Sequence, residues 1–236
     1  MRHDIRKAYN LLVDFSVLEK NNVIDPDDIK NILSKKLSHK YSKSIFGRLY
    51  LRYYYLPMIV SALSKFDKGH YLELGCGTGT QVLLAKHMGF KSVLGIDLIP
   101  ERIKIAFKRA QYYNLSESID FKVEDFWKIK LATPVDAVYS MFAFELFGIP
   151  PANACRHLSS LCSQKKVIVI LDIGNVKRLY NENYFIELVS GFEEQGFIVS
   201  LEPLIPFFVN SFISKVLGKY NLHFLFRAVR LIAVRP

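Results

Sequence analysis

Four acids and a run of glycines occupy positions where side chains could handle a polar ligand. Glu73 precedes Gly75, Gly77 and Gly79 in "HYLELGCGTGT". Asp97 follows 24 positions after Glu73 in "GIDLIPERI", and Glu124 and Asp125 stand together in "KVEDFWKI". Alternate glycines permit a tight turn and let a ligand or another backbone approach closely. Carboxylates beyond them are pure acceptors, suited to hydroxyl or amino hydrogens. A phosphate-cradling P-loop is excluded, because no Gly-Lys-Ser/Thr follows. A dinucleotide fingerprint would read G-x-G-x-x-G, whereas Thr80 stands where its last glycine belongs.

Placing these residues at one ligand requires a scaffold, and the surrounding pattern describes it. Short apolar runs at 70–74, 92–96, 119–123, 135–140 and 166–172 have the character of buried parallel strands. Amphipathic stretches at 80–88, 100–113, 151–163 and 181–195 separate or follow them. Thr80 is the expected N-cap of the first, and Pro100 opens the second, with Ile103, Ala106, Phe107 and Ala110 as its inner stripe. "FIVSLE" and "FLFRAVRLIAV" supply a closing pair of strands. This alternation predicts an α/β fold: a doubly wound, mostly parallel sheet of seven strands with helices on both faces. In such a sheet the first strand ends at the switch point where ligands bind. Residues 1–66 read as helices forming a lid or cap, and residues 67–236 as the ligand-binding domain.

Composition narrows the setting. Half of the 236 residues are apolar, enough for one substantial core. Three cysteines (Cys76, Cys155 and Cys162) have no metal-ligand spacing, and no histidine motif suggests a metal. They favour a reducing, cytoplasmic compartment without disulfides. No stretch reaches the roughly 18 apolar residues of a membrane span. The net charge of +10 is uneven: residues 34–66 carry seven Lys/Arg and no acid, and residues 203–236 carry five and no acid. Basic flanks interleaved with aromatics suit an anionic partner, although a solvated basic face explains them equally well.

The acid followed by G-x-G-x-G, as in "ELGCGTG", resembles the first motif of the Rossmann-like (class I) S-adenosylmethionine-dependent methyltransferases. The later acids fall in the family's order and spacing across residues 70–145. The resemblance implies S-adenosyl-L-methionine as cofactor. Glu73, Gly75, Cys76, Gly77 and Gly79 would then surround its methionine part, and Asp97 would accept the ribose hydroxyls. Leu98 would pack on the adenine. Asp125, or Glu124 in its place, would accept from the adenine amino group, with the Phe126 backbone amide on the ring. Ser140 would lie beside the cofactor through its backbone. Asp97 also fits a cap for the helix opened by Pro100.

The methyl acceptor should face the end of the fourth strand, "VDAVYSMFAFELFG". The segment has neither the [DN]-P-P-[YF] clamp for base amines nor a Pro-Cys nucleophile. Many family members carry Glu-His here; this chain has Glu145-Leu146. Glu145 is thus the candidate catalytic base or positioning group, with capping a turn or pairing with a lid arginine as the competing role. His157 and His223 are alternative bases of weaker standing. In "SIFGRLYLRYYYLPM", four tyrosines (Tyr50, Tyr53, Tyr54, Tyr55) stand among Arg48 and Arg52. The tail places Phe207, Phe208, Phe212 and Ile213 with only positive charge. These flanks suit a small, lipid-linked or glycan acceptor methylated on oxygen or nitrogen, and peripheral contact with an anionic membrane. RNA is the alternative acceptor, and a non-catalytic cofactor-binding regulator the alternative class.

Overall fold

In a computed structural model of the chain, the described residues are Leu18, Lys20, Asn21, Val23 and residues 56–144, 150–174, 182–204 and 228–236. The elements within them are α1 (Leu56–Lys65), β1 (His70–Leu74), α2 (Thr80–His87), β2 (Ser92–Asp97), α3 (Pro100–Tyr112) and β3 (Ile119–Val123). They continue with β4 (Ala137–Met141), α4 (Pro151–Leu161), β5 (Val167–Gly174), α5 (Glu182–Glu193), β6 (Ile198–Pro203) and β7 (Ala228–Arg235). The expected strands therefore form within a few residues of their apolar runs.

The strands make one sheet in the order β3-β2-β1-β4-β5-β7-β6. The β1–β4, β2–β3 and β4–β5 pairs are parallel, and β7 runs antiparallel to both β5 and β6. Strand order reverses at β1, so the glycine loop leaves the sheet at its switch point. This is the α/β, mostly parallel seven-stranded architecture that the apolar runs describe.

By internal contacts the chain forms two compact units. Among described residues, one comprises those up to Lys68 with Cys76–Asp125; the other comprises Gly69–Gly75 with Phe126–Pro236. The first has its core around Ile59, Val60, Ala62 and Leu63 of α1, Val82–Ala85 of α2 and Ile105 and Ala106 of α3, all essentially inaccessible. Met58, Ile59, Val60, Ala62, Leu63 and Phe66 thus pack as core, as does Leu18; of the rest of the expected lid before residue 56, only Lys20, Asn21 and Val23 are described. The second unit's core is built from β1, β4 and β5 with Cys155 and Leu158 of α4 and Leu188 and Phe192 of α5.

Two local expectations change. The N-cap of α2 is Gly79, in a left-handed conformation and without a side-chain cap bond. Thr80 is the first helical residue, and its hydroxyl is engaged elsewhere. On α3 the buried set is Ile103, Ile105, Ala106, Arg109 and Ala110, and Phe107 is 42% exposed. Its ring instead meets Phe121 edge-on at the rim, with centroids 6.5 Å apart.

Candidate active site

The glycine loop takes its shape from crowding. Gly75, Gly77 and Gly79 all have positive φ (69°, 56° and 78°), where side chains are disfavoured. At Gly79 a Cβ would meet Phe121 Cζ at 2.8 Å and Ala106 Cβ at 3.0 Å, so only glycine lets the loop seat on β3 and α3. In the other unit a Cβ on Gly75 would collide with the Ala143 methyl. Cys76 is nearly inaccessible and donates its backbone N–H to the Ile96 carbonyl at 2.8 Å.

Asp97 ends β2, is 5% exposed and closes on this loop. Its Oδ2 accepts the Gly77 N–H at 2.8 Å, and its Oδ1 accepts the Ile99 N–H at 3.0 Å. Arg102 approaches Oδ2 at 3.7 Å. The helix-entry role and the loop-closing role therefore coexist in one carboxylate. Two oxygens offer about four acceptor positions, so capacity for ligand hydroxyls remains. Leu98, the next residue, is 60% exposed and presents an apolar surface beside the acid. Glu124 donates its backbone N–H to the Asp97 carbonyl at 3.1 Å, which brings the acidic pair to the end of β2. The Glu124 side chain accepts the Asp125 N–H at 3.1 Å, and both acids are half-buried. Cys76, Gly77, Gly79, Asp97, Leu98 and Asp125 thus belong to one compact unit. A buried acceptor beside an exposed apolar residue fits a nucleoside, and a glycine-rich loop whose Cys76 and Thr78 are buried lets a ligand chain approach closely.

A residue that sequence reading passed over holds the loop from behind. Arg109 of α3 is wholly buried. Its Nη1 donates to the Thr78 carbonyl at 2.5 Å and to Thr80 Oγ1 at 3.0 Å. The stripe itself was the available clue, since Arg109 lies four residues after Ile105 on the inner face.

In the second unit, Glu73 is 1% exposed, with the Tyr71 hydroxyl 3.5 Å from its Oε2. It sits opposite Tyr139 in the β1–β4 register. Ser140 is buried and donates its hydroxyl to the Leu74 carbonyl at 3.2 Å. Phe126 packs its ring among Phe144 and His157 and gives its carbonyl to His157 Nε2 at 2.6 Å. That contact engages one ring nitrogen of His157. Glu145, His223, the lid tyrosines and the tail phenylalanines lie outside the described residues.

Beyond these, the second unit contains a buried polar cluster absent from the sequence expectations. Tyr139 donates its hydroxyl to Asp172 Oδ2 at 2.7 Å. Arg230 of β7 donates to Asp172 through Nε at 2.6 Å and Nη2 at 2.8 Å. Burial foremost, and then the Asp172 charge, holds the Tyr139 phenol well above its ordinary range. For Arg230, burial alone would lower the pKa, but the bonds and charge of Asp172 outweigh it and raise it. The same Asp172 accepts the Phe142 N–H on its backbone carbonyl at 2.8 Å. Phe142, at φ 52°, turns the chain sharply out of β4.

Comparison with known proteins decides the family. A family model described as "Methyltransferase domain" matches residues 72–165, the stretch from β1 to just past α4. The chain carries an S-adenosylmethionine-dependent methyltransferase domain. No curated protein matches it in sequence.

Solved structures similar to this methyltransferase share its fold at low identity. The geranyl diphosphate C-methyltransferase from Streptomyces coelicolor A3(2), crystallised with Mg2+, geranyl-S-thiolodiphosphate and S-adenosyl-L-homocysteine, superposes with TM-score 0.60 at 13% identity over 91% of this chain and 84% of that one. The magnesium protoporphyrin IX methyltransferase from Synechocystis PCC 6803, with bound S-adenosylmethionine, gives 0.58 at 17% identity over 89% and 90%. An S-adenosylmethionine-dependent methyltransferase from Clostridium acetobutylicum ATCC 824 gives 0.60 at 13% over 85% and 98%.

Proposed function

We propose that this methyltransferase alkylates an oxygen or nitrogen of a small acceptor that is lipid-linked or sugar-linked. The bound cofactor supplies an electrophilic methyl group; the protein must orient the acceptor, exclude water and take up a proton. The carrying observation is the exit of β4. Met141 and Phe144 are buried there, Phe142 turns the backbone, and the segment bears no base-amine clamp or cysteine nucleophile. That apolar exit, with aromatic and purely basic flanks in the sequence, suits an acceptor with a greasy body and an anionic group. Proteins of similar fold are named for geranyl diphosphate and magnesium protoporphyrin IX, which supports the class of acceptor and not the atom methylated, since the first is a C-methyltransferase.

In this reading Asp97 orients the ribose, Asp125 the adenine, and the loop from Cys76 to Gly79 the methionine chain. Glu73, Gly75, Phe126 and Ser140 complete the cofactor contacts, and Glu145 accepts the acceptor's proton. The tyrosine-rich segment before residue 56 closes over the acceptor, and the basic tail docks at an anionic membrane. Among the described residues, no helix is long and apolar enough to cross a membrane. The +10 charge favours RNA as a second reading.

One experiment separates these readings. The protein is incubated with cell extract and tritiated S-adenosylmethionine, and label is followed into lipid, small-molecule, RNA and protein pools. Label in the lipid or small-molecule pool, lost in Glu145→Gln, supports the lead. Label in RNA installs the second reading. Cofactor binding with no labelled pool points to a regulator without turnover.

A further inference from the structure

Arg109 has a position that a salt-bridged surface arginine would not take. It is completely buried, on the inner face of α3, beneath Thr78 and Thr80, which are themselves buried. A guanidinium in such a place needs its donors satisfied. The bonds from Nη1 end on the Thr78 carbonyl in the glycine loop and on the hydroxyl of Thr80, the first residue of α2.

The peptide between Thr78 and Gly79 is the one this arrangement controls. Its carbonyl is taken by Arg109, and its N–H donates to the Cys76 carbonyl at 3.0 Å. Two peptides earlier, Asp97 takes the Gly77 N–H at 2.8 Å. An anion from β2 and a cation from α3 therefore grip alternate peptides of the loop, one by its N–H and the other by its carbonyl. Glycines at 77 and 79 make rotation of these peptides sterically cheap, so the charged grips set which way each dipole points. Ordering the loop in advance removes that cost from ligand binding.

We propose that Arg109 is a positioning residue for the methionine half of the cofactor. It acts through the Thr78–Gly79 peptide and contributes nothing to the adenosine half, which Asp97 and Asp125 serve. The inference rests on the cofactor reading above. It separates Arg109 from a general core residue, because only a loop-specific role discriminates between parts of the ligand.

The test uses calorimetry with S-adenosylhomocysteine and with methylthioadenosine, which keeps the adenosine and sulfur but lacks the amino-acid carboxylate. Arg109→Met should weaken S-adenosylhomocysteine about tenfold or more, the scale of one lost charge-assisted hydrogen bond. It should change methylthioadenosine affinity less than about twofold, well under that scale. Arg109→Lys should restore part of the loss. Parallel weakening of both ligands, or no weakening of either, in a folded Arg109→Met protein would overturn the inference. Should Arg109→Met fail to fold, Thr80→Val must show the same selective loss at smaller size, and its absence would be equally fatal. If the wild-type protein binds neither compound, the cofactor reading falls and this inference with it. Wild-type binding with equal losses removes this inference alone.

Discussion

Each compact unit buries an arginine, and the two are held by different chemistry. Arg230, 3% exposed, lies in a two-point bond with Asp172, which also takes the Tyr139 hydroxyl. Arg109, fully buried, grips neutral oxygens of the glycine loop. The first arrangement joins β4, β5 and β7 into a rigid block. The second ties a helix to a loop that glycines leave free to rotate. Arg230 ties strand to strand, and Arg109 ties a helix to the segment that follows β1.

The largest expected effect tests the first half of that contrast. Asp172→Ala removes the two-point acceptor of a buried guanidinium and the acceptor of the Tyr139 hydroxyl, and should cost about 3–5 kcal/mol in denaturant unfolding. Replacing the pair together, Asp172→Leu with Arg230→Met, should recover most of it, since apolar substitutes spare both desolvation costs. A single-variant loss under about 1 kcal/mol would show that Arg230 reaches solvent and that the contrast is false.

Next in size, Asp97→Ala removes the anionic grip on Gly77 and the proposed ribose acceptor together. Calorimetric affinity for S-adenosylhomocysteine should fall by about 1.5–3 kcal/mol, the range for hydrogen bonds to a charged group. Near-normal affinity would refute the ribose assignment.

Alkali probes the Arg230 unit separately. Burial pushes the Cys155 and Cys162 thiols up to about 12 from an ordinary 9.0. The folded state keeps their protons while the unfolded chain releases them. Stability is thus undiminished below pH 9 and falls from there towards 12, by roughly 1.4 kcal/mol per thiol at about pH 10. Tyr139 adds to the fall above its ordinary 10.0. A Cys155→Ala/Cys162→Ala protein should show a shallower decline in pH-dependent unfolding, and an unchanged decline would place the titration elsewhere.

The smallest effect belongs to the other arginine. Thr80→Val removes one neutral acceptor and should cost about 1 kcal/mol of stability, the ordinary worth of a hydrogen bond. A loss matching Asp172→Ala would erase the distinction between the two cations.

How far the sequence could reveal this depended on periodicity. β1 to β5 were readable because apolar runs of five to eight residues between turn residues have few other uses. The loop was readable because alternate glycines after an acid are a local pattern, and Asp97 because its spacing follows from the strand-helix unit. Arg109 was not readable as a loop residue: the stripe of α3 places it on the inner face, but its partners Thr78 and Thr80 are about 30 positions away. Thr80 misled for the same reason, since its hydroxyl answers to Arg109 across 29 positions rather than to its own helix. Asp172 and Arg230 lie in two apolar runs that only the sheet brings into register. Such pairings are tertiary, and no local spacing encodes them.

The placement of β7 between β5 and β6 has a consequence for how the molecule assembles. During synthesis β6 emerges before its neighbour and has no place in the sheet until residues 228–235 arrive to bridge it. Until then the edge of β5 stands open, an invitation to mispairing that a helper protein or rapid chain completion must cover.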